Sequence, residues 1–128
     1  MMKHLTILLM LWVTTAMLSR VQAQSLINTN WKAYIAEPVY DTIVWHIRTD
    51  SSFVTGSNGT VLVRSVCKIS GDTVLLNDYD GQFTCPDTPG RYKFARVEDM
   101  LNFTLIDDLC QGRATSITTA KWKKVPTP

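Results

Sequence analysis

The stretch VLVRSVCKISGDTVLL, residues 61–76, is the clearest structural signal in the chain. Residues 60–69 are rich in Val and other residue types that favour strands, and residues 73–76 resume an apolar strand. Between them, Ser70-Gly71-Asp72 has the short, glycine-containing composition of a tight hairpin connection. The stretch therefore predicts two antiparallel strands joined by a short turn.

Short alternating runs separated by turn residues continue on both sides of this hairpin. Residues 42–48 alternate apolar and polar side chains, and residues 91–97 and 100–106 predict a second hairpin around Glu98-Asp99. Residues 113–125 read as a last strand, and no stretch after the N-terminal leader shows a convincing helical period. About eight or nine strands at roughly 8–12-residue spacing predict an all-β fold, either an antiparallel sandwich or a barrel.

The N-terminal residues Met1–Ala23 have the parts of a secretory signal peptide. A short start with Lys3 precedes Leu5–Leu18, an uncharged and mostly apolar run, and small or aliphatic residues then lead to a cleavage position before Gln24. The apolar run is shorter than the roughly 20 residues of a membrane span, although an uncleaved anchor is the alternative. We therefore expect residues 24–128 to form a single domain that is secreted or periplasmic and does not span a membrane.

The charge balance changes when the leader is set aside. Two of the 13 basic residues, Lys3 and Arg20, lie in the leader, so residues 24–128 carry 11 Lys and Arg against 11 Asp and Glu. This balance excludes a nucleic-acid binder that works by bulk charge and a disordered polyelectrolyte. Three lysines surround Trp122, and in a neutral domain they are best explained as the solvated face of an edge strand.

Three cysteines allow one disulfide and leave one thiol. Cys85 and Cys110 lie in turn-like stretches that bracket the second predicted hairpin, so they can approach each other without disturbing strand pairing. Cys67 lies inside an apparent strand and reads as a small buried hydrophobe, although an intermolecular bridge through it stays open. We predict a Cys85–Cys110 disulfide, which would add roughly 3.5 kcal/mol on the chain-entropy model.

No residue set in the chain predicts catalysis or metal binding. His46 is the only histidine outside the leader, which excludes a site with several histidines in one chain. A Cys67–His46 pair would need neighbouring strands and a shared face, and His46 is better explained as an outward-facing strand residue. We therefore expect no enzyme activity, no metal and no cofactor.

Two carboxylate pairs are explained without a catalytic role. Asp78 and Asp80 precede Gly81, but the calcium-loop spacing is missing, so they are interpreted as solvated turn residues. Asp107 and Asp108 instead are candidates for hydrogen bonds to turn amides or to Arg113.

Two short segments give the domain a family resemblance. It opens with Asn28-Thr29-Asn30-Trp31-Lys32 and closes with Asp107-Asp108-Leu109-Cys110-Gln111-Gly112-Arg113 followed by Trp122. Over residues 26–125 it resembles the small lipocalin-like (calycin) proteins of bacterial envelopes and secretomes, although Thr29 stands where lipocalins usually have Gly. The resemblance implies an antiparallel up-and-down β-barrel of about eight strands. It also implies that Trp31 and Arg113 close one barrel end, with the guanidinium over the indole.

Five aromatic residues on alternating strands are candidates for the barrel interior. In a barrel of about eight strands they either fill the core or line a site for one small ligand. These candidate ligand-binding residues are Trp45, Phe53, Tyr92, Phe94 and Phe103.

Two functions are compatible with such a barrel. In the first, a secreted lipocalin-like protein binds a small apolar or amphipathic molecule in the barrel. In the second, a filled barrel acts through the loops Gly56–Gly59 and Cys85–Gly90 on an extracellular or periplasmic protein, for example as an inhibitor. Under either hypothesis we expect a monomer that does not bind nucleic acid.

Overall fold

Residues 26–126 are described by the computed structural model, and they contain eight strands and one helix. The expected signal peptide, residues 1–23, lies outside the described residues. In chain order the elements are β1 (Thr29–Ile35), β2 (Asp41–Ile47), β3 (Ser51–Thr55), β4 (Val61–Ser70), β5 (Thr73–Asp80), β6 (Gly90–Val97), β7 (Met100–Asp108), α1 (Gln111–Thr119) and β8 (Trp122–Val125).

The predicted hairpins are present, and their strands close into a barrel. In β4 and β5, Ser70 pairs with Thr73 across a turn in which Gly71 adopts a left-handed φ of 58°. Each strand pairs antiparallel with the next in sequence, and β8 pairs with both β7 and β1. This confirms the all-β, antiparallel up-and-down barrel and decides against the sandwich.

Closure changes the interpretation of the last strand. Because β8 is hydrogen-bonded on both sides, it is not an edge strand, and its Trp122 is buried rather than set among solvated lysines. The Trp122 indole N–H donates to the carbonyl of Ile117, 3.1 Å away, so the polar edge of the ring is satisfied inside the protein.

The prediction that Arg113 to Val125 form one strand is wrong. Gln111–Thr119 is the helix α1, and only Trp122–Val125 is a strand. The segment is rich in Thr, which favours strands over helices, so local propensity argued against a helix. Burial of Ala114 and Ile117, three residues apart, is what this helix gains from packing on the barrel. No helix in residues 26–126 is long and apolar enough to cross a membrane.

The two ends of the barrel differ. Since consecutive antiparallel strands reverse direction, successive connections alternate between the ends. We call the end with the short turns 48–50, 71–72 and 98–99 the closed end. The opposite end carries longer connections and the helix, and we call it the open end; it comprises loops 36–40, 56–60 and 81–89 together with α1.

The closed end is filled by Leu26 and Trp31, both completely buried. The Trp31 indole N–H donates to Thr29 Oγ1 at 2.7 Å, and the Thr29 hydroxyl donates to the Leu26 carbonyl. The expectation that Arg113 lies over the Trp31 indole at this end is wrong. The guanidinium over the Trp31 ring, 5.3 Å from its centroid, belongs to Arg96 of β6. Arg113 instead lies in the first turn of α1, at the open end.

Candidate ligand-binding cavity

A cavity of about 290 Å³ occupies the open end of the barrel. Most of its walls are apolar side chains from the inward faces of the strands, and α1 and loop 81–89 border it. The apolar walls include Ile35, Ile43, Trp45, Val54, Leu76 and Trp122. The barrel is thus packed with side chains towards its closed end and hollow at its open end.

Among the five aromatic residues proposed for the interior, Trp45 is the one that lines this cavity. Its ring lies 5.3 Å from that of Phe103 and 5.4 Å from that of Trp122. Phe103 in turn meets Tyr92 edge-on at 6.4 Å. Tyr92, Phe94 and Phe103 are all buried, and they form packed core behind Trp45 rather than cavity wall.

The expectation that Phe53 faces the interior is corrected by the strand register. Phe53 pairs with His46, and residues directly opposite each other lie on the same face of a sheet. Because Trp45 and Ile47 face inward, His46 and Phe53 face outward, where their rings stack at 4.3 Å. The inward positions of β3 belong to Ser52, which is buried, and to Val54, which lines the cavity.

Three charged residues form a polar cluster beside the cavity: Asp78 near the end of β5, Asp108 at the end of β7 and Arg113 in α1. Their side chains are only 2%, 0% and 9% exposed. Arg113 Nε and Nη2 donate to the two Asp108 oxygens at 2.7 and 2.8 Å. Arg113 Nη1 lies 3.0 Å from Asp78 Oδ2. Asp78 and Arg113 also line the cavity, so the cluster provides its charged wall.

Neutral groups support each carboxylate of the polar cluster. Asp78 accepts hydrogen bonds from the Ser65 hydroxyl at 2.6 Å and from the backbone N–H of Cys85 at 3.1 Å. Asp108 accepts from the Tyr92 hydroxyl and from the backbone N–H of Cys110 at 2.9 Å. Burial of two carboxylates beside one guanidinium is tolerated because these donors satisfy the remaining oxygen lone pairs.

The predicted Cys85–Cys110 disulfide is confirmed, and it lies next to the polar cluster. It joins loop 81–89 to the residue that precedes α1, and both cysteines border the cavity. Their backbone N–H groups are the donors to Asp78 and Asp108, so the bridge holds both amides in place.

Close packing around the polar cluster also explains why residue 90 is a glycine. A Cβ atom at Gly90 would lie 3.0 Å from Arg113 Nη2 and closer still to Asp108 Oδ2. Only glycine leaves room at this position for the ion pair between Asp108 and Arg113.

The pKa shifts in the cluster follow from burial and pairing. Burial acts to raise the pKa of Asp108, but hydrogen bonds from Arg113, Tyr92 and the Cys110 amide hold it below its ordinary value. Burial likewise opposes the charge of Arg113, yet its two carboxylate partners raise its pKa further above the usual range. Burial, followed by the bond to Asp108, raises the pKa of Tyr92. With both aspartates ionised, the three charged residues sum to one negative charge.

Asp78 was missed by the sequence analysis, which interpreted it as a solvated turn residue. The structure corrects this: β5 continues to Asp80, and Asp78 faces inward because it follows Val74 and Leu76 in alternation. Asp80 is exposed and lies 3.7 Å from Arg64. The sequence did contain an indication of this burial, because Asp78 continues the alternate positions of Val74 and Leu76.

The bonds expected of Asp107 or Asp108, to a turn amide and to Arg113, are both made by Asp108, and Asp107 makes neither of them. Asp108 bonds the turn amide of Cys110 and the guanidinium of Arg113, as described above. Asp107 faces outward and pairs through two hydrogen bonds with Arg91 at the surface.

One donor in the cavity wall is left without an aligned acceptor. Arg113 Nη1, although close to Asp78, is one of two buried polar side-chain atoms in residues 26–126 that make no hydrogen bond. A guanidinium offers five N–H groups, of which Nη1 carries two, and the ion pair with Asp78 Oδ2 at 3.0 Å can engage only one of these two. A buried donor in this position favours a ligand that brings an acceptor.

The structure places His46 and Cys67 on opposite faces of non-adjacent strands. Cys67 faces inward on β4 and is 1% exposed, and burial is the main reason that its pKa is raised to about 11. His46 faces outward on β2, 2.9 Å from Thr55 Oγ1. The two therefore do not form a pair. In the described part of the chain, no three His, Cys, Asp or Glu side chains are grouped to hold a metal ion.

No known protein family, no curated protein and no solved structure matches this chain. The likeness to lipocalin-like proteins consequently rests on the short segments quoted above.

Proposed function

We propose that this protein is a secreted, lipocalin-like binding protein that holds a small apolar or amphipathic molecule in the cavity at the open end. The observation that carries the proposal is the cavity itself, about 290 Å³ in volume, with mostly apolar walls and a few convergent polar groups. This combination is typical of small-molecule sites. A barrel filled throughout would leave only its loops for recognition, so the hollow end favours the ligand-binding hypothesis.

The cavity lining supports binding without a chemical step. Its cysteines are joined in a disulfide, and its charged side chains, Asp78 and Arg113, are engaged with each other. Export of the protein is supported by the same disulfide, since such bonds persist in oxidising compartments. We therefore propose a carrier or scavenger outside the cytoplasm rather than an enzyme.

The volume gives the proposal a quantitative test. The volume of the cavity equals that of roughly ten water molecules in the liquid. A cavity of this volume accommodates a chain of about nine or ten carbon atoms. We expect primary alcohols to bind about fourfold tighter for each added methylene group, from about 0.8 kcal/mol of burial. The gain should stop at roughly ten carbons, where the chain fills the cavity. Titration calorimetry and the fluorescence of Trp45 and Trp122 measure this series directly.

A matched pair of variants locates the site. Val54→Phe adds bulk to the cavity wall, whereas Val66→Phe makes the same change on the exposed outer face of β4. Val54→Phe should shorten the longest well-bound alcohol by about two carbons, and Val66→Phe should leave the series unchanged. Absence of binding by every alcohol, or an equal effect of both variants, would contradict the proposal.

A further inference from the structure

The polar cluster restricts the chemical class of ligand that the cavity accepts. The guanidinium of Arg113 uses Nε and Nη2 on Asp108 and on the Thr88 carbonyl. Its Nη1 forms an ion pair with Asp78 Oδ2, 3.0 Å away, without an aligned hydrogen bond, and the Arg113 side chain is more than nine-tenths buried and lines the cavity. Nη1 carries two N–H groups, and Asp78 Oδ2 can accept from one of them, so a ligand oxygen that accepts from the other would satisfy this buried donor.

An anionic head group does not suit the same position. Asp78 Oδ2 lies 3.0 Å from Nη1, so a group bound to Nη1 also faces a carboxylate. Arg113 is already shared between Asp78 and Asp108, which leaves the cluster with one excess negative charge. The connecting loops 36–40, 56–60 and 81–89 contain Glu37 and Asp87 but no Lys or Arg, and Lys121, which follows α1, shares a separate surface groove with Glu37 and does not line the cavity. A second anion in this partly desolvated site is repelled.

A cationic head group is disfavoured for a different reason. An ammonium ion has donors only, so it would leave the second N–H of Nη1 without an acceptor and would lie close to the positive charge of Arg113. A neutral oxygen avoids both conflicts. A hydroxyl group offers in addition a donor for Asp78 Oδ1, which accepts a single hydrogen bond, from Ser65.

We infer that the ligand is a neutral amphiphile whose polar end is a hydroxyl or carbonyl group bound at Arg113 Nη1, with its apolar body against Trp45 and Trp122. This inference rests on the proposed function and names its ligand class. The site then discriminates against fatty acids and against alkyl amines of the same length.

Four ligands with the same nine-carbon skeleton test the inference. The disulfide-intact protein is titrated at pH 7.4 with 1-nonanol, nonan-2-one, nonanoate and nonylammonium, by calorimetry and Trp fluorescence. We expect the alcohol and the ketone to bind at least about tenfold tighter than either ion. Equal binding of all four, or tightest binding by an ion, overturns the head-group assignment and leaves the proposed function standing. No binding by any of them overturns the proposed function as well.

Charge-removing variants identify the source of the discrimination. Asp78→Asn removes the excess charge beside Nη1, and we expect it to narrow the gap between nonanol and nonanoate by about tenfold. Asp107→Asn removes the same charge from the surface at the same barrel end, outside the cavity lining, and should leave the gap unchanged. An equal effect of both variants overturns the role given to Asp78. If Asp78→Asn does not fold, the four-ligand series on the unmodified protein still decides the assignment.

Discussion

Replacing Arg113 with Met removes the cation from the polar cluster and leaves two buried carboxylates facing each other. Asp78 and Asp108 have side chains only 2% and 0% exposed, so solvent cannot take over the role of the guanidinium. Breaking a buried ion pair by removing one partner costs about 3–5 kcal/mol, because the remaining charge is uncompensated. Small domains have only about 5–15 kcal/mol of stability in total, so this single change should bring the protein close to unfolding.

The pH dependence of this variant should be opposite in sign to that of the unmodified cluster. In the unmodified protein the folded-state pKa of Asp108 is lowered, so its contribution is present above an unfolded pKa of about 3.9 and is lost as the pH falls through the folded value. Without Arg113, burial is no longer offset by the guanidinium and raises the folded-state pKa of Asp108. The Met variant should therefore regain stability as the pH falls from about 7 towards 4.

Urea unfolding followed by far-ultraviolet circular dichroism measures both effects. Arg91→Met is the matched control, because Arg91 pairs with Asp107 at the surface, where both side chains are more than half exposed; we expect little change from it. The double variant Asp108→Asn/Arg113→Met should be more stable at pH 7 than Arg113→Met alone. A loss below about 1 kcal/mol with an unchanged pH profile would refute the buried cluster as described.

Three further predictions concern the disulfide, the free cysteine and the core. Replacing Cys85 and Cys110 together with Ser should cost about 3.5 kcal/mol in urea unfolding, because the bridge closes a loop with a sequence separation of 25; a loss near zero would contradict a structural role. Cys67 should react with an aromatic disulfide reagent only after unfolding, since it is buried with a pKa of about 11; rapid labelling of folded protein at pH 8 would show that it is accessible. Phe103→Ala should cost about 3–5 kcal/mol, and Phe53→Ala clearly less, because the Phe53 ring lies outside the core; equal losses in urea unfolding would contradict the strand register.

The barrel was predictable from the sequence because most of its strands alternate between buried and exposed residues, although three strand pairs contain register shifts. In β1, Trp31, Ala33 and Ile35 alternate with exposed residues, and the turn at Gly71 marks the central hairpin. The disulfide was predictable for a related reason, since both of its cysteines lie in turn-like stretches at the same barrel end.

The helix and the site were harder to predict because tertiary contacts decide them. In α1 the Thr-rich sequence opposes a helix, and burial of Ala114 and Ile117 outweighs that propensity. Asp78 resembles a turn residue in isolation, and its burial is made tolerable by Arg113, 35 positions later, together with the donors Ser65 and the Cys85 amide. Phe53 was assigned inward on its aromatic character, whereas its register opposite His46 sets its face.

The central claim is that the open end of the barrel holds a neutral amphiphile, and a crystal structure of the disulfide-intact protein with 1-nonanol tests it most directly. The account predicts density for the alcohol between Trp45 and Trp122, with its oxygen within hydrogen-bond distance of Arg113 Nη1. Density for the alcohol elsewhere on the protein, or a cavity filled by rearranged side chains, would contradict it.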